Sequence, residues 1–459
     1  MPKISSKFKA ITESTFVRSV LVLVGGAAVA HGITALALPI LTRLYTPADF
    51  SLLAVFSGVL AVISVAACLR FDIAVAIPER DDHAVNLLAL AVLCAAVVST
   101  VVLAFVLAAP QWIAERLNQP QLAKYLWMLP IGIFLAGTYS ALQNWFVRKN
   151  AFGLISRSRV AQSAASASVQ VGLGTLAIAP LGLLFGHMMN TGAACLGLGF
   201  RFFCELQHHD THLSASWRNM KIMLIAYQRF PKFSTCEALF NSAAIQVPII
   251  LIAGLSAGPE AGYLVLAMSV MQAPMSLFGN AIGQVYLSRA PAEYRAGRLG
   301  DFTAEVLSGL LKSGVGPLFA GAILAPQVFG VIFGAAWERA GWLVTWMTPW
   351  FIFQFVASPL STAYHITGRQ KAALLTQLGG FILRTSAVLL FAVWKPEALT
   401  EAYAVSGFIF YFCYFLILLN IARVERVRIL RALQNTMSAS ALWIVGALLL
   451  SITIKSVSS

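Results

Sequence analysis

The chain has 459 residues, 59% of them hydrophobic and only 11% charged, with a mean hydropathy of +0.80; these values exclude a soluble multidomain protein and mark a polytopic membrane protein. A net charge of +14 would point to nucleic acid in a soluble chain, but in a membrane protein the side on which each cation falls matters more than the sum, so nucleic acid is excluded as a partner.

A membrane helix needs roughly 20 mostly apolar residues. The first half supplies such runs at Phe16 to Leu41, Phe50 to Leu69, Ala84 to Ala109, Ala123 to Phe146, Val160 to Ala179 and Leu181 to Phe200. Near the start, Ala28, Val29 and Ala30 resemble a signal-peptidase site, but the apolar run continues to Leu41 and is long enough to span. The longest polar interval, Arg201 to Ser234, opens with RFFCELQHHDTH and closes with RFPKFS. Within it Trp217, Met220, Met223, Leu224 and Tyr227 recur at helical spacing, which suits either a helix lying flat on the membrane or a solvated loop with one amphipathic turn. The second half supplies runs at Thr235 to Leu255, Ala261 to Leu287, Phe302 to Leu324, Gly341 to Tyr364, Ala372 to Trp394 and Glu401 to Ile421, and Ala439 to Ile454 adds a short thirteenth.

The expected organisation is therefore all-α: a six-helix bundle over 1–200, a connecting segment over 201–234, a second six-helix bundle over 235–421, and a basic segment with an extra hydrophobic helix over 422–459. The two bundles repeat. Pro39–Ile40–Leu41 answers to Pro248–Ile249–Ile250, Ala109–Pro110–Gln111 to Ala325–Pro326–Gln327, Pro130 to Pro349, and Arg148 to Ala151 to Arg369 to Ala372, in one order along the chain. An even number of spans per half makes the repeat parallel, with a substrate path between the halves. The paired prolines are expected to bend corresponding helices.

Orientation follows from alternation. With the N-terminus inside, 24 lysines and arginines fall in inner segments, six in outer ones, and Lys312 and Arg384 within spans. The six cysteines lack metal-like spacing, so neither a disulfide nor a metal is expected.

Lys312 and Arg384 are the cations set deepest in apolar runs, and each is expected to face a wet cavity or an internal partner. For Lys312 that partner would be Glu305; for Arg384, carbonyls of a kinked neighbour. His31 is either a proton relay or a packing histidine, as is His187. Gln246 meets either a substrate hydroxyl or another helix. Arg18, Arg43, Arg70 and Arg229 lie at span ends, where they serve as anchors or as bidentate partners of a lipid diphosphate. No Asp or Glu lies near the middle of a span, Asp72 falling outside them. That disfavours a cation carrier and favours an anion carrier.

PILTRLYTPADF (Pro39 to Phe50), LRFDIAVAIPERDDHAVNLL (Leu69 to Leu88), RFPKFS (Arg229 to Ser234) and GQVYLSRA (Gly283 to Ala290) resemble the polysaccharide-transporter, or Wzx-like, oligosaccharide flippases of the multidrug/oligosaccharidyl-lipid/polysaccharide exporter superfamily. The resemblance covers roughly the first 420 residues. It implies a V-shaped pair of six-helix bundles working by alternating access, and movement of a polyprenyl-diphosphate-linked oligosaccharide to the outer leaflet of a bacterial inner membrane, for polysaccharide or O-antigen synthesis. His31 stands where many relatives would have glutamine, and the thirteenth span exceeds the usual twelve. No cofactor and no enzymatic activity are implied; coupling to a proton or sodium gradient and partnership with a polysaccharide polymerase stay open. The competing readings are a drug or metabolite antiporter of the same superfamily and a membrane polymerase or ligase; the latter should expose acid/base residues on a sizeable outer domain.

Overall fold

The computed structural model describes residues 3–208, 215–256 and 258–458, and every regular element among them is a helix. A chain made of long apolar runs must satisfy its own backbone, and helices do so within each run. The helices are α1 (Lys3–Leu44), α2 (Pro47–Ala67), α3 (Phe71–Ala74), α4 (Asp81–Ala108), α5 (Pro110–Arg116), α6 (Met128–Arg148), α7 (Phe152–Thr175), α8 (Leu181–His208), α9 (Trp217–Ala226) and α10 (Thr235–Leu255). They continue with α11 (Glu260–Arg295), α12 (Leu299–Phe333), α13 (Glu338–Leu360), α14 (Ala363–Ile366), α15 (Gln370–Trp394), α16 (Leu399–Ile421) and α17 (Arg426–Ser458). Each of the thirteen apolar runs is a long helix. Nine helices among the described residues are long and apolar enough to cross a membrane: α2, α4, α8, α10, α12, α13, α15, α16 and the Gly25–Leu44 part of α1. Of the other long helices, α7 carries the Ser and Gln of QSAASASVQ, and within α17 the stretch Ser440–Thr453 is a shorter apolar one.

Several expected boundaries change. The polar run after Phe200 is not all connection, because Arg201 to His208 continue α8. The HHDTH part of that run falls at 208–212, nearly all of it outside the described residues. Trp217–Ala226 is a helix, and it turns Met220 and Met223 inward, toward α4, while Trp217 and Ile225 stay exposed. The basic stretch after Ile421 is not a segment separate from the extra helix: Arg426, Arg428 and Arg431 form its first turns. Pro130 sits in the first turn of α6, where a missing N–H costs nothing, so it does not bend that helix as Pro349 interrupts α13.

The chain divides into two compact units, 1–37 with 55–246 and 38–54 with 247–459. The residues 38–54, grouped by sequence with the first bundle, pack in the second unit. The chain thus passes from one unit to the other inside α1, α2 and α10, and Pro39 and Pro248 each lie within two residues of such a passage.

In the first unit α6 packs on α4 and α8, and α7 on α8. The N-terminal part of α1 is held by Ser156 of α7, whose hydroxyl donates to the Val22 carbonyl at 2.9 Å. In the second unit α13 packs on α11, α12 and α16, and α17 lies along α12. Arg428 meets Asp301 at 3.0 Å, and Gln327 donates to Ser451 at 2.9 Å. Residue numbers rise together along both helices, so α12 and α17 run parallel and the chain's last helix ends beside Phe333.

The 38–54 strap is held at that same end. Trp337 donates its indole N–H to the Thr42 carbonyl at 2.9 Å, Arg43 donates to the Val331 carbonyl at 3.1 Å, and Phe50 meets the Trp337 ring edge-on with centroids 4.8 Å apart. Gly262 of α11 lies against the Pro47 carbonyl so closely that any Cβ there would overlap it. Gly262→Val should therefore force the strap off α11 and cost about 1–3 kcal/mol by overpacking. The check is thermal unfolding in detergent, with Gly258→Val, where there is open space, remaining near wild type.

Candidate functional site

The charged side chains gather at helix ends, where the first unit builds a clamp. The Asp81 carboxylate accepts from Arg148 at 2.8 Å and Lys149 at 2.6 Å, tying the start of α4 to the end of α6. Arg148 also donates to the Pro78 carbonyl, and to that of Glu79 at 2.6 Å. Lys149 reaches Glu205 of α8 at 3.8 Å and lies over the Trp145 ring. Sequence reading found Arg148 and Lys149 only as loop cations, because their partner is 67 residues away. The second unit has its counterpart at the strap end, where Arg339 binds Glu260 at 3.2 Å and Glu401 at 2.5 Å, joining α11, α13 and α16.

The two cations within apolar runs have different surroundings. Lys312 is exposed on α12, and the internal pair with Glu305 is not formed: no carboxylate lies within ion-pair distance of it among the described residues. Glu305, Gly309 and Ser313, on neighbouring turns of the same helix, are exposed with it. Together they give α12 a polar face left exposed among the described residues of its own unit. One turn further on, Gly316 admits the Trp443 ring of α17, which flanks that face.

Arg384, by contrast, is only 4% exposed. Its Nε donates to the Gly380 carbonyl of its own helix at 3.1 Å, and its guanidinium lies 5.0 Å from the centre of the Phe410 ring on α16. The carbonyl partner is thus on α15 itself and not on a kinked neighbour. A cation lodged between two helices under an aromatic ring is placed to join them, not to line an open path. The two cations also do not share an interface, since α12 packs on α13 and α17 while α15 packs on α16.

Of the remaining candidates, His31 is exposed on α1, and His187 is half-buried on α8. Gln246 is half-buried at the last position of the first unit. Arg43 is committed to Val331 as described, and Arg229 is exposed just before the π-turn Phe230–Ser234. Arg18 lies in α1. Arg70 has a left-handed backbone (φ 62°), and its Nε is buried without a partner among the described residues. These arginines do not form one cluster.

Asp72 lies outside the spans, as expected, but its burial is not legible in the sequence. Helix α3 folds back between α4 and α6 and buries it to 5% exposure. Ser140 of α6 donates to one carboxylate oxygen at 2.6 Å; the other is buried with no partner among the described residues. Only the left-handed pair Leu69 and Arg70 marks the reversal that carries it inward, and hydropathy does not register backbone direction.

A family model described as polysaccharide biosynthesis protein matches residues 40–341. The chain belongs to that family. No curated protein matches the chain. Among solved structures it is similar to an inward-facing multidrug-resistance MATE transporter of the MOP superfamily, with a TM-score of 0.62 and 13% identity over 94% of this chain and 96% of that one. The lipid II flippase MurJ, in an inward closed conformation, gives 0.61 and 14% identity over 97% of each chain. A MOP-superfamily transporter from Pyrococcus furiosus, whose binding pocket is described as reversed in polarity, gives 0.59 and 13% identity over 89% of this chain and 96% of that one. At such identities the likeness shows the fold, which is that of MOP-superfamily transporters.

The contrast between the two cations is testable by stability alone. Arg384→Lys keeps the charge but loses the planar contact with Phe410 and the Nε donor, and should cost about 1–3 kcal/mol in detergent unfolding. Lys312→Met should leave the unfolding temperature unchanged.

Proposed function

We propose that this transporter is a flippase that moves a polyprenyl-diphosphate-linked oligosaccharide from the cytoplasmic to the outer leaflet of a bacterial inner membrane, with its N-terminus in the cytoplasm. The observation that carries the reading is the uncovered polar face of α12 with Lys312 at its centre. A lysine within an apolar helix is costly against lipid, about 2.5–3.5 kcal/mol on insertion scales, and is retained where it meets water or a charged cargo. Family membership supplies the link to polysaccharide synthesis, and a structural neighbour is itself a lipid II flippase. The excess of Lys and Arg on alternate segments supports the orientation.

In this reading Lys312 attracts the diphosphate or acidic sugars of the cargo during passage. Arg384 keeps α15 and α16 together as they move. The partners are the lipid-linked oligosaccharide, the surrounding lipids, and a polymerase that takes up the glycan on the outer side. His31, the candidate proton relay of the first span, is the group through which a proton gradient would act on the first unit. Asp72 favours a second reading, a drug or metabolite antiporter, because a buried carboxylate oxygen with no partner among the described residues suits a cationic cargo.

The deciding experiment is deletion of the gene and complementation in its own host. Loss of the flippase should leave a lipid-linked glycan accumulating on the cytoplasmic side, restored by the wild type. Lys312→Met should lower export roughly tenfold, equivalent to about 1.4 kcal/mol of lost attraction, at unchanged protein level, and Lys312→Arg less. Increased drug sensitivity without glycan accumulation would favour the antiporter.

A further inference from the structure

The first unit has a recess beside the Asp81 clamp, sharing Glu205 with it. It lies where the end of α6, the beginning of α7 and the end of α8 meet, has a volume of about 510 Å³, and is lined by Phe146, Leu154, Arg157, Arg201, Cys204 and Glu205. Its charges do not cancel. Glu205 is already engaged, accepting from the Trp145 indole at 3.4 Å and facing Lys149 at 3.8 Å. Arg157 and Arg201 are exposed, and neither has a carboxylate within ion-pair distance among the described residues.

Two further features raise the potential in the same place. The first turn of α7 has no side-chain cap at Ala151, so the positive end of the helix dipole lies beside Leu154. Gly153 in that turn has open space around it. Phe146 and Leu154 meanwhile supply an apolar wall next to the arginines. Two arginines without carboxylate partners among the described residues, an uncapped helix start and an apolar wall near the end of a membrane bundle fit one chemistry, an anionic phosphate carried on an acyl or isoprenoid chain.

We propose that this recess binds the headgroup phosphate of an anionic membrane lipid, one whose charge no choline cancels, with Arg157 and Arg201 as its ligands and the chain against Phe146 and Leu154. The inference does not depend on what the transporter carries. It places a lipid site wholly within the first unit, at the helix ends that hold the Asp81 clamp. A bound lipid would hold the ends of α6, α7 and α8 together alongside the Lys149–Glu205 contact.

Cys204 lines the recess and Cys236, exposed on α10, lies outside it, so the protein carries its own probe and control. The full chain is reconstituted in phosphatidylcholine vesicles with or without phosphatidylglycerol, and alkylation of each cysteine is followed by peptide mass spectrometry. Phosphatidylglycerol should slow alkylation of Cys204 and leave Cys236 unchanged. Arg157→Gln and Arg201→Gln should each weaken the protection about fivefold. Inorganic diphosphate, added to phosphatidylcholine vesicles, should protect little, since it gains nothing from the apolar wall. Equal protection by diphosphate would overturn the lipid source and make the site one for soluble phosphate. No protection by either, or protection that survives both substitutions in a protein that unfolds at the wild-type temperature, would overturn the site.

Discussion

Charge in a hydrocarbon layer must be paired, hydrated or moved to the edge, and most of this molecule's arrangement follows from that requirement. The clamps around Asp81 and Arg339 sit at helix ends, where ionic groups reach one another without crossing apolar surface. Each joins helices far apart in sequence, and so fixes a bundle whose apolar faces alone would slide. Between the ends the helices meet through small residues, as where Gly137 of α6 lies against Cys68 and Ala95.

Three charges depart from that sorting. Arg384 and Lys312 look alike in sequence, each a lone cation deep in an apolar run. The structure separates them by their neighbours: the aromatic residues of α16 close over Arg384, while the face around Lys312 has small and polar residues that leave it open. Asp72 is a third exception and an opposite charge, buried between α3, α4 and α6 with one oxygen held by Ser140. Both a cationic face and a buried acid are thus present in one chain, in different units.

Much of the fold was legible because a membrane helix is declared by a long apolar run, and all thirteen runs became helices. The errors came where hydropathy carries no information. It cannot show that Arg201 to His208 prolong α8, because a helix runs on past the apolar layer when its polar residues find water or partners such as Lys149. Nor does it show that 38–54 packs in the second unit, which rests on a backbone approach at Gly262 and on the indole of Trp337. Position at a span end, which marks the candidate arginines, does not tell Arg43, already bonded to a carbonyl, from Arg157 and Arg201, which have no such partner among the described residues.

The central claim is that this chain carries a lipid-linked oligosaccharide between leaflets. Its most direct test is transfer in purified proteoliposomes. A polyprenyl-diphosphate oligosaccharide extracted from the host is placed in both leaflets, and the fraction open to an added glycosidase that cannot enter the vesicles is followed over time. The account predicts that vesicles with the protein expose nearly all of the glycan, while empty vesicles stop near one half. Protein-containing vesicles that also stop near one half, with the protein folded and a proton gradient of either sign imposed, would contradict it.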